Sequence, residues 1–246
     1  MPNSSAEQGR RGPCADRTRT INGGPRSRAT LGRGSSRELE LDQFSIVFVC
    51  SGNRFRSPLA EAFVRRLTVG LPVAVQSFGT LELGAAPALA EARELGLWCG
   101  IDLSNHRARL VGAESIEDRD LLIGFDQEHV RRTVIDGNAP SRRSFTFRQI
   151  IALLEDLEED ETTDVVQRAR EAVSDAAARR EADPDAWGAD PIADPFGMSW
   201  RVYRETATEI RELSLRLVGA LFGVSEASGL PALPANLTRR RARRGR

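Results

Sequence analysis

The sequence predicts an α/β protein: a small, mostly parallel four-stranded sheet, doubly wound, with helices on both faces. Three observations carry that expectation. Ser45-Ile46-Val47-Phe48-Val49 is a short continuous apolar run, the texture of a strand covered on both sides in a parallel sheet. A Gly/Asn-containing loop follows, and then Ser57-Pro58 opens a helix, with Ser as its cap and Pro in its first turn. Downstream, strand-like and helix-like stretches alternate, which is the pattern of βα units closing on a parallel sheet.

Taken in order, Leu59, Ala62, Phe63 and Leu67 recur at helical spacing behind the first strand. Val73 to Ser77 reads as a second strand and Ala88 to Leu97 as a second helix. Asp120 to Gly124 is a third strand, with a helix from Gln127 to Val134 behind it. Further helices are expected at Phe147 to Leu157, Thr163 to Arg180 and Ser199 to Phe222. The pattern places three of the four strands.

Composition sets the outer limits. At 246 residues and 40% hydrophobic content the chain has enough apolar surface for one substantial core. Residues 1–40 are rich in Arg, Gly and Ser without apolar periodicity, so they are expected to be a disordered tail. Residues 41–228 are expected to form the domain, with an acidic helical insert at about 155–188, and residues 229–246 a basic C-terminal tail. Eight Arg face two acids in residues 1–37, six Arg and no acid stand in 239–246, and the stretch between holds 21 Arg against 33 acids. The arginine tails read as solvated rather than as arms for nucleic acid or acidic lipid. The acidic insert reads as a solvated helix face with its loop, a basic partner being the alternative. Neither a membrane span nor a secretory leader is visible, so the expected address is the cytoplasm, in a bacterial source. The cysteines Cys14, Cys50 and Cys99 lack metal-ligand spacing, and neither a metal nor another cofactor is expected.

The chemistry is concentrated in Cys50-Ser51-Gly52-Asn53-Arg54-Phe55-Arg56-Ser57. A Cys six positions before an Arg is weak by itself. Its setting strengthens it, because the Cys ends the first strand, where open α/β sheets bind ligands, and the loop runs into a helix N-terminus. Backbone N–H groups of residues 51 to 56 could then curl around a phosphate, making this a phosphate-binding loop. In that arrangement Cys50 is a thiolate nucleophile, and Arg56 offers a planar fork to two phosphoryl oxygens. Gly52 allows close approach and an unusual φ, Asn53 locks the loop through its side chain, and Ser57 donates to the thiolate. The alternative for Cys50 is an ordinary buried thiol at a strand end.

These residues resemble the low-molecular-weight protein tyrosine phosphatase family. Ile46 to Asn53 and Arg56 to Ala62 look like that family's start, Ser77-Phe78-Gly79-Thr80 stands where it has Ser-Ala-Gly-Thr, and Gly100 to Arg109 matches a further segment. Ala193-Asp194-Pro195-Phe196-Gly197 is similar to its late Asp-Pro-aromatic loop. The resemblance implies hydrolysis of a phosphoprotein or a small phosphomonoester through a cysteinyl phosphate, with Cys50, Arg56 and Asp194 catalytic. It makes Asp194 the acid and then the base, and Phe196 a wall of the substrate pocket beside Ser51, Gly52, Asn53, Arg54, Phe55 and Ser57. Asp183-Pro184 and Asp190-Pro191 are competitors of Asp194, but only Asp194 is followed by an aromatic residue and Gly. His106 reads as structural and His129 as a helix-surface residue without a partner. The chain departs from the family in Arg54, where an apolar residue is usual, in Phe55, where a second Cys is common, and in the lack of Trp at Leu81-Glu82-Leu83. Arsenate reductases share the loop, so arsenate reduction with a small external thiol is the enzymatic alternative. A catalytically silent phosphate-binding module is the other.

Overall fold

The computed structural model describes residues 43–155, 164–183, 190–224, 229–234 and 237. Its sheet has four strands, β1 (Phe44–Cys50), β2 (Val73–Gly79), β3 (Leu121–Gly124) and β4 (Ser144–Thr146), in the order β2-β1-β3-β4 with every pair parallel. The helices are α1 (Arg56–Leu67), α2 (Ala90–Trp98), α3 (Gln127–Asp136), α4 (Phe147–Glu155), α5 (Val165–Ala182) and α6 (Trp200–Phe222), with a 3-10 turn at Ser141–Arg143. The expected doubly wound α/β architecture is the one observed. β4 escaped the sequence pattern because it is only Ser-Phe-Thr, too short to show a period.

All seven residues of β1 are buried, as its continuous apolar run requires, and their alternation divides two cores. Phe44, Ile46, Phe48 and Cys50 turn toward the larger core, which α1, α2, α4, α5 and α6 cover. Val47 and Val49 turn to a smaller one with Phe78, Val111, Ile116, Leu122 and Ala139. Phe48 lies 6.5 Å from Phe125 and 5.4 Å from Phe147, ring to ring, and these aromatic contacts tie the ends of β1 and β3 to α4.

The insert helix α5 is more than a solvated face. Asp164 caps it through bonds to the N–H groups of Val166 and Gln167, and Val166, Ala169, Val173, Ala176 and Ala177 are buried against the large core. Arg170 donates from Nε to Asp120 Oδ1 at 2.9 Å, while Asp120 Oδ2 takes both the backbone N–H and the hydroxyl of Ser45. The helix is thereby pinned to the start of β1. The expected disordered tail at 1–40, the acidic run 156–163 and the arginines 239–246 lie outside the described residues.

The folded region also continues beyond the expected boundary at 228. Leu230, Leu233 and Leu237 belong to the large core, Arg211 Nε donates to the carbonyls of Leu230 and Pro231, and Trp200 Nε1 donates to Leu237 O. Residues 229–234 and 237 are therefore better read as a strap over α6. A chain ended after residue 228 should lose at least about 3 kcal/mol of stability, from three buried leucines at about 1.5–3 kcal/mol each discounted for residual burial when unfolded. A chain ended after residue 238 should keep the parent's urea midpoint. Equal midpoints for the two would remove the strap from the fold.

Candidate active site

The alternation of β1 decides where its last side chain goes. Cys50, 3% exposed, is delivered to the α1 side of the sheet, and its Sγ lies 3.0 Å from Ser57 Oγ. The loop between them turns its carbonyls outward: Cys50 O accepts from Thr80 N, Ser51 O from Leu81 N, Asn53 O from His106 Nε2 and Arg54 O from Leu89 N. The N–H groups of residues 51 to 55 find no acceptor among the described residues. Helix α1 begins at Arg56 without a side-chain cap or an acid in its first turn, so its orphan N–H groups add to the same positive concavity. Ser57, expected as the cap, sits one residue inside the helix instead and spends its hydroxyl on Cys50.

The left-handed residue of the loop is Asn53, at φ +50°, rather than the expected Gly52. Asn tolerates that region because its short polar side chain finds local partners. Asn53 Nδ2 donates to Ser57 Oγ at 2.9 Å and Ser77 Oγ at 2.8 Å, and its Oδ1 accepts from Arg109 N at 2.9 Å. Ser77 in turn donates to the buried carboxylate of Glu61, which Arg65 also holds. A Cβ on Gly52 would meet Leu83 Cδ1 at 3.3 Å, a tight contact that the exposed leucine side chain can relieve. Gly79 is tighter, since a Cβ would come within 2.9 Å of Ser51 O. His106 holds the loop by donating from Nε2 to Asn53 O at 2.7 Å, and burial shifts its pKa downward, so it serves as the neutral donor expected of a structural histidine.

Arg56 is 4% exposed, and three of its five N–H donors have acceptors among the described residues. Its Nη1 donates to Ile192 O at 3.1 Å, its Nη2 to Ser51 Oγ at 3.1 Å and to Asp194 Oδ2 at 2.7 Å, and its guanidinium lies 5.8 Å from the Phe125 ring centre. Of the three Asp-Pro candidates, Asp194 reaches the loop. Asp183 ends α5, and Asp190 is exposed. The turn after Asp194 is set by Phe196 N donating to Asp194 Oδ1, by Gly197 at φ +77°, and by the Tyr203 hydroxyl accepting from Gly197 N. Phe196 is 68% exposed, and Leu81, Leu83 and Met198 are exposed as well. Arg54 is tethered from Nε to Pro87 O at 2.9 Å and has no carboxylate partner among the described residues. Phe55 differs from expectation: its side chain is buried 5.0 Å from the Tyr203 ring, so only its backbone belongs to the loop.

Sequence reading missed a second group of residues. His129, expected on a helix surface, is 2% exposed, with Nε2 3.0 Å from Ser51 Oγ and Nδ1 3.0 Å from Asp126 Oδ1. Asp126 caps α3 by accepting from His129 N at 2.8 Å, and that cap rotates the imidazole inward. Ile192 donates its N–H to Phe125 O at 2.8 Å, which brings the Asp194 segment to the end of β3. The Asp-x-x-His spacing at the end of an apolar strand was the one available signal.

The fold and this geometry define a class, that of α/β proteins with an anion-receptive loop between a parallel strand and a helix N-terminus. Comparisons with known proteins narrow it. The low molecular weight phosphotyrosine protein phosphatase family matches residues 45–165. The probable low molecular weight protein-tyrosine-phosphatase EpsP of Ralstonia solanacearum is 32% identical over 143 residues, 58% of this chain and 92% of that protein. The protein-arginine-phosphatase of Bacillus subtilis is 27% identical over 178 residues, 72% of this chain and 95% of that protein. Among solved structures, the low molecular weight protein tyrosine phosphatase from T. tengcongensis is 26% identical and superposes with a TM-score of 0.53 over 73% of this chain and all of that one. The chain belongs to the low molecular weight protein tyrosine phosphatase family.

Burial, opposed by Asp126 and reinforced by Arg56, brings the His129 pKa from 6.5 down to about 4, with Asp194 and Glu128 opposing the shift from farther off. Between those values the unfolded chain binds the proton that the folded chain refuses, so the His129 contribution to stability is complete above about 6.5 and is lost as pH falls toward 4. Urea midpoints should therefore fall more steeply across this window for the parent than for His129→Gln. Parallel slopes would show that the imidazole is not held neutral.

Proposed function

We propose that the protein hydrolyses phosphomonoesters, phosphotyrosine first among them, through a phosphate carried on Cys50. The observation that carries this reading is the orientation of the loop: the carbonyls of Cys50, Ser51, Asn53 and Arg54 are occupied outside, its N–H groups are unclaimed among the described residues, and a buried thiol and a buried guanidinium stand at the two ends. A tetrahedral dianion completes such a site, because it supplies acceptors to the N–H groups and charge to Arg56.

The steps follow from the groups present. The Cys50 thiolate, steadied by the Ser57 hydroxyl, attacks phosphorus as the bond to the leaving oxygen breaks, and that oxygen takes the proton of Asp194. Arg56 lies where its fork can stabilise charge on the equatorial oxygens. Asp194, now a carboxylate, takes a proton from water as the water attacks the phosphocysteine, which releases phosphate and restores the thiolate. Bound dianion and Asp194 compete for Arg56 Nη2, so substrate entry loosens the 2.7 Å pair and frees the carboxyl for the leaving group. The exposed Leu83 beside Gly52 and the exposed Phe196 two residues after Asp194 offer apolar surface to an aryl ring. Arg54 adds a cation to the loop, which favours a neutral aryl leaving group over a cationic guanidinium.

Among the described residues, reduction of arsenate through an internal thiol relay gains no support, since Cys99 is buried in the large core and burial pushes its thiol up to about 11. The domain is proposed to comprise the strap to residue 237 together with the α5 insert. No described helix is long and apolar enough to cross a membrane.

Turnover of p-nitrophenyl phosphate should fall at least about a thousandfold in Cys50→Ser and in Arg56→Ala while both variants stay folded. Retention of activity in either would overturn the mechanism. Asp194→Ala should slow alkyl phosphates far more than p-nitrophenyl phosphate, because only the poorer leaving group needs the proton. An equal loss on both would remove Asp194 from that role.

A further inference from the structure

The buried group that the proposed mechanism leaves unused is His129. Its ring nitrogens touch two different structures: Nε2 is 3.0 Å from Ser51 Oγ in the phosphate loop, and Nδ1 is 3.0 Å from Asp126 Oδ1 at the end of β3. Nδ1 is also the one buried side-chain polar atom among the described residues without an aligned hydrogen-bond partner. A bare lone pair on Nδ1 would face the Asp126 carboxylate at that distance and be repelled, so the ring proton belongs on Nδ1. A neutral ring then leaves Nε2 as an acceptor, and the hydroxyl within its reach among the described residues is that of Ser51.

We infer that His129 is a positioning residue: it takes the Ser51 hydroxyl proton, so that Ser51 Oγ presents a lone pair to Arg56 Nη2 and anchors the guanidinium for phosphoryl transfer. The relay runs from the Asp126 carboxylate through the Nδ1–H of His129, from Nε2 to the Ser51 hydroxyl, and from Ser51 Oγ to Arg56 Nη2 at 3.1 Å. Nη2 has two hydrogens, one on Ser51 and one on Asp194. When a dianion arrives, the carboxylate of Asp194 is repelled and releases its hydrogen, whereas the neutral Ser51, its own proton committed to His129, keeps its bond. Arg56 thus turns one hydrogen to the substrate without losing its place. With Ser51 free to rotate, the hydroxyl could donate to the phosphoryl group instead, and its bond to Arg56 would no longer be enforced. The charged groups that face the imidazole are Asp126 and Glu128 from its own turn, Arg56 from α1 and Asp194 from the closing segment, and the net effect together with burial keeps the ring neutral at pH 7.

The kinetic part of this inference rests on the phosphatase reading above; the tautomer does not. Nitrogen-15 shifts of the imidazoles in the parent protein at pH 7 should show His129 protonated on Nδ1 and bare on Nε2. A protonated Nε2, or an imidazolium, overturns the relay. His129→Phe removes the acceptor at similar volume, and His129→Gln restores one. The Phe variant should lose about tenfold or more in kcat/KM for p-nitrophenyl phosphate, the size of a weakened hydrogen bond to a charged group, and about the same in vanadate affinity. The Gln variant should recover most of both. In a Ser51→Ala background the two His129 variants should be equal, because the route through Ser51 is gone. Additive losses there would make His129 a packing residue only. A parent that binds vanadate but turns over no phosphomonoester defeats the phosphatase reading alone, and the vanadate and nitrogen-15 results still decide this one.

Discussion

The structure is organised around one costly feature, a guanidinium that is nine-tenths buried beside a buried thiol. A cation withdrawn from water has to be paid for by fixed partners, and Arg56 has four: the carbonyl of Ile192, the hydroxyl of Ser51, the carboxylate of Asp194 and the face of Phe125. These come from three separate stretches of the chain. Satisfying Arg56 therefore requires the first strand, the third strand and the late Asp-Pro segment to meet, and the fold achieves this by ordering the sheet β2-β1-β3-β4.

Two carboxylates outside the site support the loop from opposite sides. On one side Glu61 receives the hydroxyl of Ser77, which accepts from Asn53, which also donates to Ser57 beside the thiol. On the other side Asp126 faces His129, which faces Ser51, which accepts from Arg56. Each relay orients a hydroxyl next to a reacting group while keeping the negative charge away from the incoming anion. That division is physically sensible, since a carboxylate in contact with the loop would repel the ligand, whereas a hydroxyl polarised by a distant carboxylate does not. Asp194 is the exception, and it is the one carboxylate in the site that is substantially exposed, at 46% of its side chain, and so free to move.

The sequence carried the first half of the site because that half is local. Cys50, Asn53, Arg56 and Ser57 lie in one strand–loop–helix unit, whose spacing alone places a thiol and a guanidinium at the two ends of a turn. Asp194 was recognisable as the Asp-Pro pair followed by Phe and Gly, and the structure brings that pair to Arg56 and leaves Asp183 and Asp190 away from the loop. The errors were equally local. Gly52 was credited with the unusual φ because glycine is its ordinary bearer, yet Asn53 takes it because its three side-chain bonds compensate. Phe55 was counted with the ligand pocket, yet a large ring next to α1 gains more by packing on Tyr203. The leucines after residue 228 gave no helical or strand period, since a strap binds through separate anchors.

The continuous apolar run before Cys50, the alternation of strand-like and helix-like stretches, the Gly/Asn loop and the Ser-Pro helix start were enough to determine an α/β chain with a thiol at the end of its first strand, because each is a property of neighbouring residues. Which face of α3 points inward was not determined in that way. His129 stands on a short helix of mostly polar residues, and only the Asp126 cap and the approach of Ser51 from 78 residues earlier in the chain turn it from a surface histidine into a buried one. Burial and hydrogen bonding between distant segments are decided by the tertiary structure, since no local spacing encodes which loop will arrive.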